Sequence, residues 1–518
     1  MKKIFYLVII LAAGIISSCS KDKKPTTGGG GTGPSKDGTT LQLMQDSIYL
    51  YAKEDYLWFD QLPSYGTVNP RSFTASDPFT AMQNEMDAIS QYAINPSTNK
   101  PYEYYAPHPG IAKYSFIDDG TEGGALNGTK GDFGFDYNYN LVDDIRVVYV
   151  YPGSPADVAG LKRGYEITSI NDDSDISYDG LFSDGTKSGT GTSAHNNYVY
   201  NSIFNSGTIK LTLKKPDGTS FTVSFATTNY TVNPVLKETV LDLGNGKKLG
   251  YLVFNSFTSD ANADPKLDAA FQDFANQGIT ELAVDLRYNG GGFVSTAEYI
   301  DNYIVPPSKT GTLMYTYFYN SNLQNDIYPL LSKKYNISKG DFKPVNNQVG
   351  FVKKGSLNLS RVFFIITGGT ASASELTINN LRPEMDVELV GETSYGKPVG
   401  FFNIDFGQYT MYTPEFSTKN SSNQGDYYAG MTPNANGYNG VNDLDDYTKD
   451  FGDPTEGLLA HIVNKVKLGT FDIPGKVIQS LSSNPKAFSL AMSRDKSMAL
   501  NKNKFTGMVN NKKLKHRR

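Results

Sequence analysis

The sequence predicts a mixed α/β (α+β) protein of several domains, on three observations. A length of 518 residues exceeds what a single hydrophobic core organises. Apolar, β-rich runs such as 361–366 and 387–390 alternate with helix-spaced segments such as 371–381. The alternating runs 209–213 and 221–225 flank Pro216-Asp217-Gly218, the pattern of a hairpin closing a smaller β-rich unit.

The elements follow in chain order. Lys2 and Lys3 precede the apolar run 4–16, which is too short to span a bilayer in the usual way, so residues 1–18 read as a signal peptide. Cys19 follows and is the only cysteine, which excludes an intramolecular disulfide. Residues 19–39, with four glycines at 28–31, read as a flexible linker. Helix-spaced apolar residues at 41–62, which include Trp58, and at 77–92 predict a small helical region within 40–125. A β-rich domain is expected over 130–230 and the chemistry-bearing domain over 235–470. Residues 471–518 form a tail whose basic cluster at 512–518 is expected to be a mobile end.

Composition narrows the function. The formal net charge of −5 becomes more negative once Lys2 and Lys3 leave, which argues against a nucleic-acid partner. His108, His195, His461 and His516 lack His-Glu-x-x-His spacing, so no zinc peptidase is expected, and His461 on a helix predicted over 454–467 reads as structural. Asp443, Asp445 and Asp446 lack the glycine and closing glutamate of a calcium loop and read as a solvated acidic turn. No metal or cofactor is expected. The 35 tyrosines read as strand packing and the lining of a peptide groove rather than as sugar-stacking surfaces.

The chemistry lies in three segments. Gly368-Gly369-Thr370-Ala371-Ser372-Ala373-Ser374-Glu375 follows the strand 361–366, which places Ser372 at a sharp turn and at the mouth of a helix. Unpaired N–H groups and the positive dipole end favour an exposed oxyanion there, with the amide of Ala373 among the donors. Serine needs a base to take its proton, and a lysine serves only as the neutral amine. Bringing a lysine from about 10.4 to near 7 costs roughly 4–5 kcal/mol, which burial can impose. Lys397, in Ser394-Tyr395-Gly396-Lys397-Pro398, begins a strand predicted over 399–406 and can point inward. Finally, the strand-like run 281–287 enters Tyr288-Asn289-Gly290-Gly291-Gly292. Taken alone, that triple glycine is a turn or a phosphate loop, although the Gly-x-Gly-x-x-Gly fingerprint is absent.

Together these segments resemble the C-terminal processing peptidases, also called tail-specific proteases, which use a Ser-Lys dyad. The resemblance implies a crotonase-like, ClpP-like catalytic core, Ser372 as nucleophile and Lys397 as general base. It implies an oxyanion hole in which Ala373 is joined by a glycine amide, from Gly291 or Gly292, of the family's Asp-Leu-Arg-x-Asn-x-Gly-Gly segment. Many members carry a glutamine four places after the lysine to orient the amine, whereas this chain has Phe401; Asn403 and Glu375 are the alternatives, and Glu375 otherwise reads as a first-turn acid on the helix dipole.

Residues 147–156, 159–167 and 170–171 resemble a PDZ domain of the type found in these peptidases, with Tyr165 replacing the usual acid. Gly134, Phe135 and Asp136 fall where such domains receive a peptide carboxylate, which implies capture of a substrate tail by strand addition. Ile16-Ser17-Ser18-Cys19 is similar to the lipobox of bacterial lipoproteins and implies a lipid anchor on Cys19. The expected partners are a protein or peptide substrate and a membrane, in the bacterial cell envelope on the periplasmic or cell-surface side of the outer membrane.

Overall fold

The computed structural model describes residues 33–141, 143–177, 194–474, 506–510 and 514–516. The expected signal peptide 1–18, Cys19, most of the linker 19–39 and much of 471–518 lie outside the described residues. Among the described residues no helix is long and apolar enough to cross a membrane.

A six-stranded sheet organises the chain, in the order Val235–Asp242, Lys248–Phe254, Glu281–Asp285, Arg361–Ile366, Asp386–Gly391, Asn439–Asn442. The first pair is antiparallel and the remaining four pairings are parallel. A parallel strand is covered on both faces and so requires a near-continuous apolar run. Val362 to Ile366 supplies one, with Val362, Phe364 and Ile366 in one core and Phe363 and Ile365 in the other. The first core is closed by helices Asp260–Gln277, Val294–Ile304 and Ala373–Leu381. In Asp260–Gln277 it is Ala263, Leu267, Ala270, Phe271 and Phe274 that form the buried stripe at helical spacing. The second core is closed by Gly457–Leu468 through Leu458, Leu459 and Ile462.

A second sheet, antiparallel throughout, runs Phe135–Leu141, Asp144–Val150, Glu166–Ile170, Thr208–Lys214, Ser220–Ala226. It has a core of its own, including Phe133, Val147, Ile167, Leu211 and Leu213, against which Val199 and Ile203 of helix Ala194–Phe204 pack. Arg163 ties this unit to the larger sheet, donating to the Val148 carbonyl (2.7 Å), the Tyr288 hydroxyl (2.6 Å), Asp445 (2.8 Å) and the Lys449 carbonyl (3.0 Å). The guanidinium is buried, and removing one member of a buried charged pair typically costs about 3–5 kcal/mol. Arg163→Ala is expected to lower unfolding stability by that order in a urea titration.

Four expectations need correction. The helix predicted over 41–62 spans Thr40–Asp55, started by a Thr39/Gln42 capping box, and ends because Leu57 N–H donates to Pro414 instead of continuing the ladder. The strand predicted over 399–406 is two, Val399–Gly400 and Ile404–Phe406, in different sheets, because Phe401 and Phe402 are buried and Phe402 N–H turns to Glu415. The acidic turn is not solvated. Asp445 is buried between Arg163 and Arg287, and Asp443 is buried against His461, whose other ring nitrogen meets the Phe471 carbonyl at 2.6 Å. Neither is the end of the chain all mobile tail. Gly507–Val509 forms a strand paired with Gly291–Phe293, and the Lys515 carbonyl accepts from Asn336 N–H.

Candidate active site

The three predicted segments all leave the carboxyl ends of neighbouring parallel strands, where open α/β sheets bind ligands. The glycine loop follows Glu281–Asp285, the serine turn follows Arg361–Ile366, and the lysine loop follows Asp386–Gly391. The strand bearing the serine is flanked by the other two, so topology alone gathers the residues.

Ser372 opens helix Ala373–Leu381 at φ 60°, ψ −106°, a backbone region a non-glycine residue occupies at a cost of about 1–3 kcal/mol when its surroundings compel it. Asn289 supplies much of that compulsion. Its carbonyl accepts from Ala371 N–H (3.0 Å) and the Ser374 hydroxyl (2.9 Å), while its side chain grips the Phe254 carbonyl (2.8 Å). Thr370 adds a hydroxyl bond to Leu286 (2.8 Å), and its carbonyl accepts from Tyr395 N–H (2.9 Å).

Glu375 ties the serine turn to the lysine loop. One carboxylate oxygen accepts from Ser372 N–H (2.9 Å) and Lys397 N–H (2.8 Å), and the other from Gly396 N–H (2.7 Å) and the Ser394 hydroxyl (2.5 Å). The backbones of Ser372 and Lys397 share one oxygen and thus cannot lie more than two hydrogen-bond lengths apart. Burial holds the Glu375 carboxyl above the usual carboxylate range, and these four donors offset only part of that rise. Gly396, at φ 81°, permits the turn, because a Cβ there would sit 2.4 Å from the Tyr428 carbonyl oxygen.

Lys397 is fully buried, and desolvation holds its amine well below the usual lysine range. The carboxylates of Glu103, Glu375 and Glu415 oppose that shift and Lys113 reinforces it. The Lys397 Nζ lies 3.8 Å from the Phe401 ring centroid and 5.3 Å from that of Tyr114, and donates to the Thr506 carbonyl (2.5 Å). The place of the family's glutamine is taken by an aromatic face under the amine. Ser372 is also fully buried, and its hydroxyl has no partner.

On the glycine side, Gly291 N–H is committed to Asn289 (2.9 Å). A Cβ on Gly291 would lie 3.0 Å from the Ala373 nitrogen and 2.2 Å from the Gly507 carbonyl oxygen, so only glycine, at φ 108°, fits between them. Gly292 lies in the same strand, Gly291–Phe293. Gly134, Phe135 and Asp136 are remote from this cluster, at the start of the edge strand of the antiparallel sheet. There Gly134 N–H bonds Asp132 (2.9 Å), and Phe135 and Asp136 are buried. Cys19 lies outside the described residues. Among the described residues no His, Cys, Asp and Glu group could hold a metal ion.

Sequence reasoning missed three contributors. The helical region supplies Lys113, whose Nζ donates to the Tyr395 (3.0 Å) and Gly396 (3.2 Å) carbonyls, and Tyr114, whose hydroxyl donates to Gly396 (2.6 Å). No local pattern announces contacts across that much chain. The third is the segment 506–510. Glu375, expected as a first-turn acid or an alternative partner for the lysine, reaches the lysine loop through the backbone N–H groups of Gly396 and Lys397.

A strained serine at a helix mouth, a close-packed glycine strand and a desolvated lysine therefore meet at the carboxyl ends of three adjacent parallel strands. Residues 248–435 match Peptidase family S41. The chain is similar to a carboxyl-terminal-processing protease of Picosynechococcus, 26% identical over 279 residues covering 53% of this chain and 56% of the relative. It is also similar to the carboxy-terminal processing protease CtpB of Bacillus subtilis, 23% identical over 267 residues covering 49% of this chain and 45% of the relative. The chain spans about half the length of the curated relatives it matches. A Bacteroides fragilis crystal structure ascribed to the S41 proteases superposes with a TM-score of 0.54 at 25% identity, covering 81% of this chain and 96% of that one. Over residues 248–435 the chain thus matches the S41 peptidases, and it is similar to C-terminal processing proteases across about half of its length.

Proposed function

We propose that the protein is a serine endopeptidase that cleaves proteins or peptides near their C-termini through a Ser372–Lys397 dyad. The observation that carries this reading is the Glu375 carboxylate, which holds the backbones of a partnerless buried serine and a desolvated lysine on one oxygen. In the cycle, Ser372 Oγ attacks the scissile carbonyl carbon while the neutral Lys397 amine takes its proton. The oxyanion is held by Ala373 N–H and a glycine-loop amide. The lysine ammonium returns the proton to the leaving amine, and water, activated by the same lysine, hydrolyses the acyl ester. For this the Lys397 amine must exchange the Thr506 carbonyl for the serine hydroxyl.

The antiparallel sheet acts as a PDZ domain that takes a substrate tail along its open edge strand Phe135–Leu141, and Cys19 carries a lipid that holds the enzyme in the bacterial envelope. The test compares wild type, Ser372→Ala and Lys397→Ala on an unfolded protein such as β-casein. Cleavage by wild type alone is expected. Equal or absent cleavage by all three would instead support a peptide-binding lipoprotein of the same fold.

The pH profile gives an independent check. Because burial lowers the Lys397 amine well below its ordinary value, kcat/KM is expected to rise with pH through a limb lying well below 10.5 and then level off. A rise centred on the ordinary lysine value would show that the amine is not desolvated in the working enzyme.

A further inference from the structure

The segment 506–510 lies within the candidate site as an added strand. Gly507–Val509 pairs in parallel with Gly291–Phe293, residue for residue. Its other edge meets Phe401 through a bridge to Val509. Gly507 N–H donates to the Gly290 carbonyl (2.9 Å), Phe401 N–H to the Met508 carbonyl (2.8 Å), and Asn510 N–H to the Phe401 carbonyl (2.8 Å). Both polar edges of the segment are thus used, as when a peptide joins a sheet.

Its side chains fit the slot by size. Gly507 is buried, and its carbonyl lies where a Cβ on Gly291 would collide with it. Met508 is fully buried, and its Cγ would be 2.6 Å from a Cβ placed on Gly400. Val509 is likewise buried. The segment also explains two features of the site. The Thr506 carbonyl engages the Lys397 amine, and the Ser372 hydroxyl is left without a partner. Beyond the strand the chain is pinned again, where Asn336 N–H donates to the Lys515 carbonyl (2.8 Å) and Leu514 packs on the core.

We propose that the slot between Gly291–Phe293 and Phe401 is the substrate strand site, selective for an extended small–large–branched apolar sequence, and that Gly507–Val509 fills it as an intramolecular competitor. The proposal rests on the peptidase reading of this groove. An external tail gains access when it displaces the chain's own. The preferred substrates are extended segments carrying a glycine followed by two apolar residues, of which Gly507-Met508-Val509 is the internal example.

The experiment uses the full chain with Met508→Asp, which places a charge in the buried slot and releases the strand. Against unfolded β-casein, this variant is expected to show kcat/KM at least tenfold above wild type. A fluorescein-labelled Phe-Thr-Gly-Met-Val-Asn peptide is expected to bind Ser372→Ala/Met508→Asp at least tenfold more tightly than Ser372→Ala with its own tail. The same peptide with Asp in place of Met is expected not to bind. Absent binding to the released variant, or equal binding with and without the native tail, overturns the proposal. Binding as expected without cleavage by any variant sinks the peptidase reading, and the slot then stands only as a peptide-binding site filled by the chain's own strand. Should Met508→Asp fail to fold, amide exchange on the wild-type protein decides. Protection at residues 507–509 is expected to fall on addition of excess peptide, and unchanged protection overturns the proposal.

Discussion

Lys397→Met is expected to remove turnover while making the protein more stable. The activity side follows from chemistry. Without a neutral amine beside Ser372 nothing accepts the hydroxyl proton, and loss of a nucleophile or its base typically lowers kcat by about four to six orders of magnitude. Ser372→Ala should fall by a similar amount, and the double variant by little more, because the two act as one unit. The stability side follows from burial. The Lys397 amine is held well below its ordinary value by desolvation, so in the window between its folded and unfolded values the unfolded chain binds the extra proton. Stability from this group therefore rises with pH across that window and is lost as pH falls through the folded value. Methionine removes the cost of holding that amine desolvated, and replacing buried ionisable groups by apolar ones of similar volume often gains about 1–4 kcal/mol. Urea unfolding at pH 6 and pH 9 should show the larger gain at pH 6. An inactive variant less stable than wild type at both would mean that the amine contributes more through its Thr506 bond than it costs by burial.

Glu375→Gln, though isosteric, is expected to lower both stability and turnover. Both carboxylate oxygens accept two hydrogen bonds, from three backbone N–H groups and one hydroxyl. A glutamine turns one acceptor into a donor and sets it against at least one backbone N–H, Gly396 in one orientation and Ser372 and Lys397 in the other. The side chain is fully buried, and leaving a buried polar group unsatisfied costs about 1–3 kcal/mol. The serine turn and the lysine loop then lose their shared tether, so kcat should fall along with stability. Glu375→Asp keeps the charge but shortens the reach, and is expected to retain more stability than activity. Differential scanning calorimetry with casein turnover on the same samples checks both. Wild-type activity in Glu375→Gln would show that the two loops need no tether.

How far the sequence carried this account depended on whether a feature was local. The strand Arg361–Ile366 was legible because a strand covered on both faces must be apolar at every position. The serine turn and the glycine loop were legible because both need residues few alternatives can replace. The reach of Glu375 was half legible, since its place in the first helical turn is local while its bonds to Gly396 and Lys397 depend on how two neighbouring strands are ordered. Lys113 and Tyr114 were invisible, because nothing near them in sequence predicts contact with Gly396. The acidic residues at 443 and 445 misled for the same reason. Clustered carboxylates look solvated until the fold brings Arg163, Arg287 and His461 to them. The tail strand carries no helical or alternating pattern of its own, and pairs only because the glycine strand and Phe401 offer it two edges.

The central claim is that an uncharged, buried Lys397 amine activates Ser372. It is tested most directly by the rate at which a small fluorophosphonate forms an adduct on Ser372, followed by intact-protein and peptide mass spectrometry across pH. The account predicts a single adduct at Ser372 whose rate rises through a titration well below the ordinary lysine value and which is absent in Lys397→Met. Labelling of Lys397→Met at the wild-type rate, or an adduct at another residue, would contradict it.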